Sequence, residues 1–308
     1  MLKILKFILI IFFLKISVAL AIENKIILKI DNQIITSFDI LDEIENLNFF
    51  NKNLSQLTNE EIYQLAIQSI TKYKIKKIEI SENFGDVKFQ NEDYLNELVE
   101  KTYKDLNFKN IKNFKDEMKR NQINFEKFKE KLEIEILWNQ IIYSKYYDKL
   151  IIDQESLKKK INSSNKTVKS MSLREIIYDA TNLQEVKTKY SLIEKDIREL
   201  GFENAAIKHS ISNTSKKGGN LGWIDESTIS NEILNELNKI SINSITGPIR
   251  IASGFLILQK LNKREIKKKF NAEEELKKMI DYEKNQQLNN YSNLYFNKIK
   301  KKVKINAP

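Results

Sequence analysis

Six of the seven glycines lie between residues 201 and 254: Gly201, Gly218, Gly219, Gly222, Gly247 and Gly254. Pro248 sits among them. Glycine supplies positive φ without a Cβ clash and proline fixes φ, so the two together mark tight turns between short strands. Short strands and loops are therefore expected in this stretch and helices on either side of it, where Gly85 is the one further glycine. A length of 308 residues is ample for two domains.

The flanks carry the helical signals. Residues 26–47 read as strand, turn, strand and helix: Ile26 to Ile30, the turn Asp31-Asn32, then Ile34-Ile35, with Thr36 or Ser37 capping a helix that bears Ile40, Leu41 and Ile44. Thr58 with Glu61 forms a capping box ahead of Ile62, Leu65, Ala66, Ile70 and Tyr73, which recur every three to four residues. Asn91 to Leu106 is a further helix, with Leu95, Leu98, Val99 and Tyr103 on one face. A long helix follows from about Phe125 to Asp148 with Phe128, Leu132, Ile136 and Tyr143 on one side. There Ile134, Leu137, Trp138, Ile141 and Ile142 widen the apolar stripe, either for burial against two neighbours or as open apolar surface. Asp153 starts another helix, Asn162 to Lys166 is a polar linker, and Asn271 with Glu274 opens a last helix bearing Leu276, Met279, Ile280, Tyr291, Leu294 and Tyr295. That helix needs a partner for its stripe, and packing it back on the N-terminal helices supplies one.

The first residues resemble an export signal. Lys3 and Lys6 precede the apolar run Phe7 to Leu14, and Ala19-Leu20-Ala21 has the form of a signal-peptidase site, placing cleavage after Ala21. The run is far short of the roughly 20 apolar residues that cross a bilayer. An uncleaved anchor over residues 4–22 would have to bury Lys15, at a cost of about 2.5–3.5 kcal/mol. With no cysteine and a single histidine, His209, neither a disulfide framework nor a thiolate metal site is available, and no metal or cofactor is expected. The formal net charge of +10 falls to +7 once Lys3, Lys6 and Lys15 are set aside, because residues 1–21 hold no acid. Lysine and glutamate interleave along the chain, which describes a solvated surface rather than a nucleic-acid patch.

Residues 171–264 hold the most specific pattern. A strand-like Leu173 to Ile177 leads to a helix from Leu183 to Leu200, then to Gly218-Gly219-Asn220-Leu221-Gly222-Trp223, a helix-like Ser227 to Ile240, Ile245-Thr246-Gly247-Pro248 and Gly254-Phe255-Leu256-Ile257-Leu258. The double glycine permits a tight reversal, and Trp223 offers a large surface for anchoring the sheet to a helix. No Walker pattern accompanies the glycines, which disfavours a phosphate loop.

This order resembles the parvulin family of peptidyl-prolyl isomerases, and the flanks resemble SurA-type periplasmic chaperones. The resemblance implies an α+β architecture in four segments. These are a signal peptide at 1–21, a helical chaperone domain at 22–165, a parvulin module at 166–264 with a four-stranded antiparallel sheet flanked by helices, and a C-terminal helix at 265–308 that packs back on the helical domain. The best-known members carry two modules in tandem, and this chain has room for one. The resemblance implies partners that are unfolded exported polypeptides, outer-membrane β-barrel precursors above all. It implies no nucleic-acid partner, and membrane contact only through the signal peptide.

Active parvulins use two histidines facing each other across the sheet with a Cys or Asp between them. Carried onto this sequence, those positions are Glu175, Leu256 and Ser212. The proline-binding wall falls on Leu221, Ile229, Ile233 and Phe255, where Ile229 and Ile233 replace the usual Met and Phe. His209 lies outside the set and reads as structural. A chaperone with weak or lost isomerase activity is the expected outcome, with an active isomerase and a membrane-anchored foldase as alternatives. Phe49, Phe50, Trp138, Tyr146 and Tyr147 are candidate client contacts, each also suited to a core.

Overall fold

The computed structural model describes residues 24–85, 89–163, 167–267 and 272–307. The export segment with its Ala21 cleavage site, linker residues 164–166 and the Asn271 cap lie outside the described residues.

Strands β1 (Ile26–Ile30) and β2 (Gln33–Thr36) pair antiparallel across a turn in which Asp31 takes φ 47°. Helix α1 (Ser37–Phe50) begins at a reciprocal capping box: the Asp39 backbone N–H donates to the Thr36 hydroxyl, and the Thr36 N–H to the Asp39 carboxylate. The Thr58–Glu61 box opens α2 (Asn59–Phe84) in the same way. Then come α3 (Glu92–Asp105), α4 (Ile111–Arg120), α5 (Phe125–Tyr146) and α6 (Gln154–Ser163). Helix α4 has no counterpart in the sequence reading, because only Phe114 and Met118 make its buried stripe. The long α5 is buried on several sides at once, with Trp138 fully enclosed, so its wide stripe is core; Tyr143 alone of the expected stripe stays half exposed.

The second unit is a sheet of order β4-β3-β6-β5, all antiparallel. Its strands are β3 (Thr167–Tyr178), β4 (Asn220–Asp225), β5 (Ile249–Ile251) and β6 (Gly254–Lys267), and its helices α7 (Leu183–Leu200), α8 (Phe202–His209) and α9 (Asn231–Lys239). Strand β3 outruns the expected Leu173–Ile177 because its first half is polar and pairs with an equally polar end of β6. Alternation along the strands divides the core. Ile176, Tyr178 and Ile257 face α7 and α8, while Met171, Leu173, Ile177, Leu256 and Leu258 face α9.

Helix α10 (Ala272–Lys300) carries the chain back. Trp138 Nε1 donates to Ser292 Oγ at 2.8 Å, and Tyr291, Tyr295, Phe296 and Ile299 join the core of the first unit. Strand β7 (Ile305–Asn306) then pairs with β1, so the two ends of the described chain share a three-stranded sheet. The mixed α+β class is as expected.

Candidate functional site

Glu175 stands mid-strand on β3 on the face that meets α9; Ile177 and Leu256 are register partners, as are Glu175 and Leu258. The loop after α8 brings the polar partners. The Ile211 N–H donates to Ile177 O at 2.7 Å, which holds Ser212 beside the strand. Ser212 caps a single helical turn, Asn213–Lys217, that places Thr214 at the same carboxylate. Ser212 Oγ donates to Glu175 Oε1 at 2.6 Å and Thr214 Oγ1 donates to the same oxygen at 2.8 Å. Both Glu175 and Ser212 are buried.

Gly219 makes this approach possible. The Glu175 N–H donates to Gly219 O at 2.8 Å, and a Cβ at Gly219 would lie 2.1 Å from Glu175 O on a backbone at φ +73°. Burial raises the Glu175 pKa above the ordinary carboxyl value, and the two hydroxyls oppose the shift without cancelling it. The field of the carboxylate reaches α10, where burial first and Glu175 second push the Tyr282 phenol up to about 12.

Leu221, Ile229, Ile233 and Leu256 come together as one apolar cluster beside Glu175, with Ile177, Leu237 and Leu258 behind them. Phe255 does not join them. It lies on the opposite face, stacked on Tyr178 with ring centroids 5.8 Å apart and packed into the α7–α8 core. Neighbouring residues of a strand face opposite sides, so Phe255 and Leu256 cannot both line one cleft. Trp223 also departs from its expected role: it is 40% exposed, with the Arg264 guanidinium 4.0 Å above its ring. His209 is structural, its Nε2 lying 2.5 Å from Asp196 Oδ2 at the end of α8, and burial lowers its pKa. Thr214 and Tyr282 were not anticipated. Thr214 is visible only as a second hydroxyl two residues beyond Ser212, and Tyr282 lies outside the motif segment altogether.

In the helical unit, Phe49 and Phe50 belong to an aromatic core with Phe114 and Phe128, and Tyr146 stacks on Tyr291 at 4.5 Å. Tyr147 is partly exposed beside Tyr143. A cleft of about 690 Å³ opens between α3 and α5, walled by Tyr94, Leu98, Leu132, Ile136 and Tyr143, with Asn139 and Gln140 among its polar groups. No helix among the described residues is long and apolar enough to cross a membrane.

A four-stranded antiparallel sheet, a double-glycine loop closing on its central strand and an apolar wall beneath α9 define a parvulin-type rotamase module, and residues 157–262 match the Rotamase family, PPIC-type PPIASE domain. One parvulin domain is thus present, and the chain is similar to SurA chaperones and to a PrsA foldase. It is 32% identical over 103 residues to Chaperone SurA of Xanthomonas oryzae pv. oryzae, which is 33% of this chain and 21% of that one. The chain thus spans about a fifth of the length of the SurA relatives it matches. Foldase protein PrsA 2 of Bacillus cereus is 22% identical over 240 residues, covering 77% of this chain and 72% of the relative. Among solved structures, a chain from the work on PEB4 and Cj1289, SurA-like chaperones of Campylobacter jejuni, aligns over 92% of this chain and 99% of its own length. That alignment has 17% identity and a TM-score of 0.35.

Proposed function

We propose that this chain is an exported periplasmic chaperone that holds unfolded polypeptides, outer-membrane β-barrel precursors among them, and that its parvulin module has weak or lost isomerase activity. The observation that carries this reading is the contrast within one cleft. Three of the four expected wall residues, Leu221, Ile229 and Ile233, still form an apolar surface with Leu256 though without Phe255, while the catalytic positions hold Glu175, Ser212 and Leu256. Leu256 neither donates nor accepts a hydrogen bond, so one side of the usual polar pair is gone. The half-exposed Tyr94 and Tyr143 at the rim of the α3–α5 cleft supply apolar surface for an extended client. Similarity to SurA and PrsA relatives supports the chaperone class.

Under this proposal residues 1–21 are removed, 22–165 and 265–308 form one chaperone unit, and 166–264 form the module. The test is a paired assay on residues 22–308. One arm follows aggregation of a denatured outer-membrane barrel protein, and the other follows cis–trans exchange in a proline peptide. Suppressed aggregation with little exchange at neutral pH is expected. Ordinary parvulin turnover at pH 7 would favour the second reading, a working isomerase, for which the Glu175–Ser212–Thr214 centre is the supporting observation. N-terminal sequencing of the exported protein checks cleavage after Ala21.

A further inference from the structure

We propose that Glu175, in its neutral form, is the hydrogen-bond donor of the isomerase cleft, so that proline isomerisation by this chain switches on with acid. The inference rests on the reading of residues 166–264 as an isomerase fold and names the group that would act in it.

The chemistry sets what the site must offer. Twisting an X-Pro bond breaks amide conjugation and accounts for the barrier of about 18–20 kcal/mol. In the twisted state the nitrogen lone pair is no longer shared with the carbonyl, and the nitrogen becomes a hydrogen-bond acceptor. A polar group that donates a hydrogen to that nitrogen therefore favours the twisted state over the planar one. No covalent bond forms or breaks, and the donor keeps its proton.

Few side chains on this face can do so. Ser212 and Thr214 spend their hydrogens on Glu175 Oε1. Leu256, Ile229 and Ile233 have none to give. Lys260 lies further along β6, and its ammonium caps the Leu237 and Ile240 carbonyls. The Tyr282 hydroxyl on α10 and the second oxygen of Glu175 are what remain, and only the second is held in plane by the two hydroxyls. Among the described residues no hydrogen bond reaches Oε2, and it is not among the side-chain atoms sealed from solvent without a partner. Two hydroxyls on Oε1 fix the plane of the carboxyl group. A proton on Oε2 then makes a preorganised donor, whereas the ionised carboxylate only accepts.

The surroundings favour the neutral form. From its own strand Glu175 shares a face with Leu173 and Ile177, from β6 with Leu258, from the 213–217 turn it meets Thr214, from the preceding loop Ser212, and the titratable group that faces it from α10, Tyr282, is uncharged below pH 8. No cation forms an ion pair with it among the described residues. Arg174 pairs with Glu203. Lys217 pairs with Asp105 of the helical unit, and the Lys216 carbonyl accepts from Asn51 there. Burial without a cation raises the carboxyl pKa.

The test uses residues 22–308 and a tetrapeptide with an apolar residue before proline, with exchange followed by NMR from pH 4.5 to 8. Wild-type exchange should rise about tenfold per pH unit on acidification until it reaches a plateau. Glu175→Gln keeps an acceptor for the two hydroxyls and places an amide N–H where Oε2 was. It should give exchange near the wild-type acid plateau at every pH. Glu175→Leu should give none. A flat wild-type profile, or a Gln variant well below the wild-type acid plateau with native near-UV circular dichroism, overturns the proposal. The same samples are assayed for aggregation suppression. Suppression with no exchange at any pH would sink this inference and leave the chaperone reading standing; acid-dependent exchange without suppression would do the reverse.

Discussion

At the scale of single residues, the module is held by two close approaches of different kinds. A methyl group at Gly219 would collide with the Glu175 carbonyl on a backbone already in the left-handed region, so both clash and strain act. Gly219→Ala should cost about 2–4 kcal/mol in urea unfolding. Gly222→Ala, at φ +71° but with open space around the added carbon, should cost only about 1 kcal/mol. The second approach is that of the Glu175 carboxylate to its hydroxyl partners. Its folded-state pKa is raised above the unfolded value, so its contribution to stability is present below the unfolded value and is lost as pH rises through the folded one. Glu175→Gln should therefore be more stable than wild type at pH 8, by about 1–2 kcal/mol, and the difference should shrink towards pH 4. Denaturant midpoints at both pH values check this. The sequence displayed Glu175 and Ser212, which the structure brings into contact, and Leu256, which it places in the neighbouring apolar cluster. It also displayed the alternation that separates Phe255 from Leu256, and motif spacing alone conceals that, because spacing counts residues without assigning faces.

At the scale of elements, the legible ones are those whose ends are marked chemically. The boxes at Thr36 and Thr58 and the Asn91 cap set three helix starts, and all three side chains accept from the backbone as their sequence context implies. Helix α4 was hidden because two buried residues make too short a period to register. The outer halves of β3 and β6 were hidden because each is polar and finds its partner only in the other, far along the chain. The docking of α10 depends on Trp138, which is fully enclosed, donates to Ser292 and has Tyr295 and Phe296 within 6.2 Å by ring centroid. Lys76 lies 5.1 Å over the same ring. Trp138→Ala should destabilise the helical unit by about 3–5 kcal/mol. It should also make α10 the first segment cut in limited proteolysis. In a Trp223→Phe background Trp138 is the sole tryptophan, and its fluorescence should report loss of α10 and unfolding of α5 in one transition.

At the scale of the whole molecule, the module rests on the helical unit through a mixed contact. Leu200 and Ile207 pack on Leu54, Leu57, Ile62 and Leu65. Around them Lys208 bridges Glu61 at 2.8 Å and Asp196 at 3.0 Å, and Asn204 donates to Gln56 at 3.0 Å. Nothing in the sequence pairs these positions, since they belong to two separately patterned units, and each apolar residue fits the stripe of its own helix equally well. The apolar patch carries most of the contact energy; a part-exposed ion pair adds about 0.5 kcal/mol. Lys208 holds Glu61 below the ordinary carboxyl value, so that smaller share is present above the unfolded value and fades as pH falls through the folded one. Ile207→Glu should therefore release the module with both units still folded. It buries no new charge in either core, because Ile207 packs only at the seam. Small-angle scattering should show a larger radius of gyration, and binding of a hydrophobic dye should rise as Leu54, Leu57 and Leu65 are uncovered. Lys208→Ala should leave the scattering profile of the closed form nearly unchanged at neutral pH. If it opened the molecule as far as Ile207→Glu does, the ion pairs rather than the apolar seam would be what holds the two units together.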